Sequence, residues 1–206
     1  MSGPSSAKTI AALPYVFIIG FNKCATQSLS SFFEANGFPA VHWDHGNLAL
    51  AMMTNAAAQR PLLHPYDADF RVFSDMHFLN DSISVEANAF FPTLDRDYPG
   101  SFFVYNTRPM AAWIKSRLAH CNLAGESLAD RYARATGLAI ADVPAAWEAE
   151  RRVFEQRLFR YFAKSPRLLV LDVEAPEPAA RLAVFLGREM NLEAWPWTGR
   201  TQLSGE

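Results

Sequence analysis

The segment Tyr15–Gly20, YVFIIG, constrains this chain more than any other. It is apolar throughout, rich in β-branched and aromatic side chains, and shows no polar alternation. A strand of that kind must be covered on both faces, the condition of a parallel sheet flanked by helices. The run ends in glycine, and from Thr26 the period changes. Leu29, Phe32 and Phe33 fall at i, i+3 and i+4, the buried face of a helix, and Asn36-Gly37 supplies its stop.

The same alternation continues along the chain. Segments 38–43, 70–75, 101–108 and 167–173 read as further strands. Segments 47–58, 84–97 (interrupted near Pro92), 109 to about 120, 142 to about 163, and 178–186 read as helices. Pro109 is tolerated in a first helical turn, and Gly187 closes the last helix. In the charged helix 142–163, Trp147, Phe154, Leu158 and Phe162 are expected to pack on the sheet, leaving the charges solvated. Apolar strands alternating with helices specify an α/β fold, a three-layer domain around a central, mainly parallel five-stranded sheet. The 206 residues suit one such domain, here 14–206, preceded by a loose polar tail at 1–13.

Composition excludes several functional classes. Half the residues are hydrophobic and the formal net charge is −2, so no basic face offers itself to nucleic acid. Cys24 and Cys121 are the two cysteines, too few for a disulfide framework, and a reducing compartment is the default. The first residues lack the apolar core of a signal peptide. No apolar run approaches the roughly 20 residues of a membrane span. A cytoplasmic protein with neither nucleic-acid nor membrane partners is expected.

Two segments carry chemistry. In GFNKCATQSLSSFF (20–33), a strand ends and a loop leads into a helix. Such a junction aims backbone N–H groups and a helix N-terminus at one point, where phosphate or sulfate binds well. Lys23 adds positive charge, and Thr26, Gln27 and Ser28 add side-chain donors. The pattern is not GxxxxGK[ST], because Lys23 follows Gly20 by only three residues and no Gly precedes it directly. In FFVYNTRPMAAWIKSR (102–117), Arg108 follows a strand at its carboxyl edge, and Ser116 lies eight residues on in the next helix. Carboxyl edges of parallel strands are where α/β proteins bind ligands. An arginine there can grip a phosphate bidentately, and a serine two turns along can reach the same group. Arg108 alone is equally a cap or a surface ion pair.

Taken together, in this order and spacing, the two segments make the chain resemble the sulfotransferase superfamily. The resemblance implies that Lys23, Cys24, Ala25, Thr26, Gln27 and Ser28 hold the 5′-phosphosulfate of 3′-phosphoadenosine 5′-phosphosulfate. It implies that Arg108 and Ser116 hold the 3′-phosphate, with Arg200 in the basic tail loop, and that no metal takes part. The final strand and helix, RLLVLDV and RLAVFLG, are similar to the family's last elements, so the likeness extends to about residue 201. The chain departs where the family usually has Gly or Ser-Gly, at Cys24-Ala25, and where it often has a second Thr, at Gln27.

Charge suggests the roles. Lys23 is placed to stabilise the leaving phosphate, and Asp75 or His77, at the end of the third strand, is placed to take the acceptor's proton. His42, Asp44 and His45, after the second strand, are placed to contact a carbohydrate or small-molecule acceptor. Each has a plainer role open to it, the aspartate as a helix cap and the histidines as structural residues. Cys24, at a helix N-terminus, is a candidate for a lowered thiol pKa. Two other activities stay open: a P-loop kinase acting on a small metabolite, and a relative that binds nucleotide without turnover.

Overall fold

The computed structural model describes residues 13–196. Its strands are β1 (Val16–Ile18), β2 (Ala40–His42), β3 (Val72–Ser74), β4 (His77–Leu79), β5 (Ser84–Glu86), β6 (Phe102–Thr107) and β7 (Leu168–Asp172). Its α-helices are α1 (Thr26–Ala35), α2 (Asn47–Ala57), α3 (Phe91–Asp97), α4 (Met110–Leu118), α5 (Leu128–Thr136), α6 (Val143–Tyr161) and α7 (Pro178–Leu186). Five strands form one all-parallel sheet in the order β2-β3-β1-β6-β7. β1 is central, pairing Phe17 with Phe73 on one side and Phe103 on the other.

Alternation along β1 builds the layers. Phe17 and Ile19 enter one core with Phe73, Phe103, Tyr105, Trp113, Trp147, Phe154 and Leu158. Val16 and Ile18 enter the other with Leu29, Phe32, Phe33, Val104, Leu171 and Leu182. α1 and α7 therefore cover one face, and α2 to α6 crowd the other. Successive side chains of a strand point to opposite faces, so an unbroken apolar run is the signature of this sandwich. In α6, Trp147, Phe154 and Leu158 are buried as expected, and Phe162 just beyond it is buried with them.

Two segments differ from the sequence expectation. Residues 84–86 are not helical; β5 pairs antiparallel with β4 in a separate hairpin. Asn80 closes that hairpin, its Oδ1 accepting from the N–H groups of Ser82 at 2.9 Å and Ile83 at 3.0 Å, a local side-chain bond that opposes helix formation. Pro92 then occupies the first turn of α3 and starts that helix rather than interrupting it. The second difference is α5, which was not anticipated. Ser127 caps it by accepting from the Asp130 N–H at 3.0 Å, and Gly137 ends it with φ 72°.

Among the described residues no helix is long and apolar enough to cross a membrane. Phe17 is fully buried and packs on Phe73, Phe103 and Tyr98. Phe17→Ala should destabilise the fold by about 3–5 kcal/mol, read as a lower denaturation midpoint in urea.

Candidate functional site

The loop after β1 is held from β6. Gly20 sits so close to that strand that a Cβ would lie 2.0 Å from the Asn106 carbonyl oxygen and 2.3 Å from its Oδ1. Instead the Gly20 N–H donates to Asn106 Oδ1 at 2.8 Å, and Asn106 Nδ2 donates to the Cys24 carbonyl at 2.6 Å. Asn106 is wholly buried. Two more contacts pin the residues between: Trp113 Nε1 donates to the Asn22 carbonyl at 3.0 Å, and Arg108 Nη1 to the Lys23 carbonyl at 3.2 Å. These bonds maintain a costly backbone. Lys23 (φ 67°) and Ala25 (φ 58°) are both left-handed, at about 1–2 kcal/mol each for a residue with a Cβ. That is why a glycine is favoured at position 25.

Ala25 is the N-cap of α1 and offers no side-chain cap. The Ala25 side chain thus makes no cap to the first turn, Thr26 to Ser28, and the positive end of the helix dipole lies at this loop. Thr26 and Ser28 are buried there, whereas Gln27 is exposed. Cys24 is buried beneath the loop, and burial pushes its thiol up to about 12. Desolvation outweighs the helix N-terminus, so the reactive-thiol reading of Cys24 is corrected: its side chain packs in the core and stays protonated.

Lys23 is half-buried and its Nζ lies 3.5 Å from His120 Nδ1. Burial lowers the lysine pKa, with Asp75 opposing and Arg108 reinforcing. Burial likewise lowers that of His120, followed by the charges of Lys23, Arg131 and Arg117. An ammonium can only donate, so His120 Nδ1 must carry the lone pair. His120 was not anticipated, since no local pattern ties residue 120 to residue 23.

Asp75, also left-handed at φ 55°, ends β3 beside the loop. Its Oδ2 lies 3.5 Å from the Thr26 hydroxyl and 3.8 Å from His42 Nε2. Burial raises its pKa, and the nearby His42 and His77 oppose the rise. His42 Nδ1 lies 2.9 Å from Ser74 Oγ, and burial lowers its pKa.

His77 takes a different position. It is buried behind the loop, where Asn22 Nδ2 donates to its Nδ1 at 3.3 Å. Its proton is thereby left on Nε2, 4.0 Å from Glu86 Oε1. Burial, then Arg117, pushes its pKa down to about 4, so it is neutral at pH 7. Glu86 in turn accepts from Arg117 at 3.1 Å. Arg117 is completely buried, its guanidinium 5.0 Å from the ring of Trp113 and 4.4 Å from that of Trp147.

After β2 the chain makes a left-handed turn. Trp43, Asp44 and His45 have φ of 58°, 48° and 55°, and Gly46 follows at 88°. Asp44 accepts from the Tyr66 hydroxyl, and His45 is exposed against the ring of Trp43, 5.5 Å away. Across the sheet edge, Arg108 Nε donates to Glu174 Oε1 at 2.8 Å, and Nη2 reaches the same oxygen. Arg151 Nη2 fixes this corner from below, donating to Thr107 Oγ1 at 2.5 Å and to the Arg108 carbonyl at 3.0 Å. Ser116 is half-buried on α4, two turns beyond Arg108. Arg200 lies outside the described residues. The structure thus brings Lys23, Thr26, Asp75, His42 and Arg108 to one carboxyl edge, and places His77 beneath the loop against Asn22.

An all-parallel sheet with a strand–loop–helix junction after its central strand, a lysine in that loop and an arginine just after the neighbouring strand, is a P-loop-like α/β fold. A family model for the sulfotransferase domain matches residues 15–165, and the chain belongs to that family. The match ends before β7. No curated protein matches the chain.

Asn106→Leu keeps the volume and removes both hydrogen bonds. The stranded Gly20 N–H and Cys24 carbonyl should each cost about 1–3 kcal/mol. The variant should unfold at lower urea concentration, and the loop amides should lose protection from hydrogen exchange.

Proposed function

We propose that this protein is an enzyme that moves a sulfonyl group from 3′-phosphoadenosine 5′-phosphosulfate to a hydroxyl or amine of a carbohydrate or small-molecule acceptor. The observation that supports this most is the convergence on one sheet edge of the α1 N-terminus, the Lys23 ammonium and the Arg108 guanidinium. The donor set fits a nucleotide with anionic groups at both ends. Residues 23–28 take the 5′ end, and Arg108 with Ser116 takes the 3′-phosphate. The donor supplies an activated sulfonyl group on a phosphate leaving group.

The chain's own residues then divide the work. Lys23 Nζ lies where negative charge grows on the leaving oxygen, so its benefit is larger in the transition state than in the ground state. Asp75 is the base we favour for the acceptor proton. Its carboxylate stands against Thr26 and His42 at the mouth of the site, and burial makes it more basic than an exposed aspartate. His77 is less suited, because its unprotonated nitrogen already accepts from Asn22. His42, Asp44 and His45 flank the edge from which an acceptor approaches. We place the activity in one domain running from residue 14, in the cytoplasm.

One observation favours a second reading. The Thr26–Asp75 contact at 3.5 Å is the pairing that holds Mg²⁺ in nucleoside-triphosphate sites, which keeps a small-metabolite kinase in view. Adenosine 3′,5′-bisphosphate should raise the melting temperature and ATP with Mg²⁺ should not; the reverse result would make the protein a kinase.

Lys23→Met keeps the side chain's bulk and removes its charge. kcat should fall about a hundredfold or more, in line with the roughly 2.7–4 kcal/mol of a lost transition-state donor, with a smaller change in donor affinity. A kcat within about threefold of the parent, roughly 0.65 kcal/mol, would make Lys23 a bystander. Donor binding without turnover in the parent, across a broad acceptor panel, would make the protein a non-catalytic binder.

A further inference from the structure

Arg108 is engaged before any nucleotide arrives. Its Nε and Nη2 form the edge with two parallel donors, the edge best matched to an oxyanion. Both donate to Glu174 Oε1. The remaining nitrogen, Nη1, donates to the Lys23 carbonyl. Glu174 comes from the turn after β7, where its own N–H donates to Asp172 Oδ1 at 2.9 Å. That turn lies beyond residue 165, outside the span of the family match.

We propose that Glu174 competes with the nucleotide's 3′-phosphate for Arg108, weakening the hold on the nucleotide and speeding release of adenosine 3′,5′-bisphosphate. The inference rests on the reading of Arg108 as the 3′-phosphate residue. A phosphate seated on the Nε/Nη2 edge takes the place of the carboxylate. A phosphate seated elsewhere on the guanidinium must share its positive charge with the carboxylate still bound there, and is repelled by that carboxylate. In either geometry the negative charge of Glu174 lowers affinity for a 3′-phosphorylated ligand.

The exchange is cheap on one side only. The Glu174 side chain is 41% exposed and the Arg108 side chain 24%, so the carboxylate can swing into solvent. Arg108 meanwhile stays tethered to the loop through Nη1 and through Arg151 on its carbonyl. A partly exposed ion pair of this kind is worth no more than about fivefold in an equilibrium constant, so Glu174 moderates binding without blocking it. Product release limits turnover in many enzymes, and an internal competitor for a charged contact to the product shortens that step.

The test compares the full-length parent, Glu174→Gln and Arg108→Ala. Dissociation constants come from calorimetry and dissociation rates from stopped flow, with adenosine 3′,5′-bisphosphate and adenosine 5′-monophosphate as probes. Glu174→Gln should bind the bisphosphate about three- to fivefold more tightly, with a correspondingly slower off-rate, and the monophosphate as the parent does. Bisphosphate binding that is unchanged or weaker in Glu174→Gln, while Arg108→Ala weakens it, would overturn the competition and make Glu174 an orienting partner or a bystander. Equal tightening for both nucleotides would overturn it too, as a general charge effect. If Arg108→Ala binds the bisphosphate as the parent does, or if the parent does not bind it, the 3′-phosphate reading itself fails and the competition falls with it.

Discussion

A single side-chain amide, that of Asn106, sets the shape of the loop after β1. It accepts from Gly20 at the loop's start and donates to Cys24 near its end. Both bonds are short and buried, so neither end can turn to water for a substitute. With its two ends tied to β6, the backbone between them has little choice, and Lys23 and Ala25 take left-handed conformations that neither would prefer alone. The loop's shape is thus imposed from the neighbouring strand as much as it is encoded in the loop's own residues.

The charged side chains around the loop differ in exposure. Lys23 and Arg108 are partly exposed at the sheet edge, and the Asp75 side chain beside them keeps 15% of its surface. Glu86, at 13%, lies between the buried His77 and the buried Arg117, whose guanidinium is within 5.0 Å of the rings of Trp113 and Trp147. A buried arginine of this kind supports geometry more than stability. It holds the wall on which Asn22, and so the loop, leans.

Much of this was legible in the sequence. The apolar run at 15–20, the change of period at Thr26 and the spacing of Arg108 and Ser116 carry the sheet, the strand–loop–helix junction and the family. The antiparallel hairpin at 77–86 was not legible, because Ser84-Val85-Glu86 is too short to declare a period and its turn depends on one asparagine side chain. The α5 helix did leave a signal, a capping serine three residues before an aspartate at 127–130. The partners that complete the site left none. Asn106 is 86 residues from Gly20, His120 is 97 from Lys23, and Glu174 is 66 from Arg108. Pairings over such distances are written in the topology of the sheet, and local pattern carries no trace of them.

The span between Gly20 and Asn106 also orders events in time. The strand that opens the loop is made early in synthesis, but the residue that gives the loop its shape follows 86 positions later. Until β6 has docked beside β1, the segment 20–28 has no Asn106 to fix its two ends. Closing so long a loop is slow, and it comes after local helices have formed. A growing chain therefore carries the loop's sequence long before the loop takes its shape, which waits for β6, the fourth strand of the parallel sheet to be made.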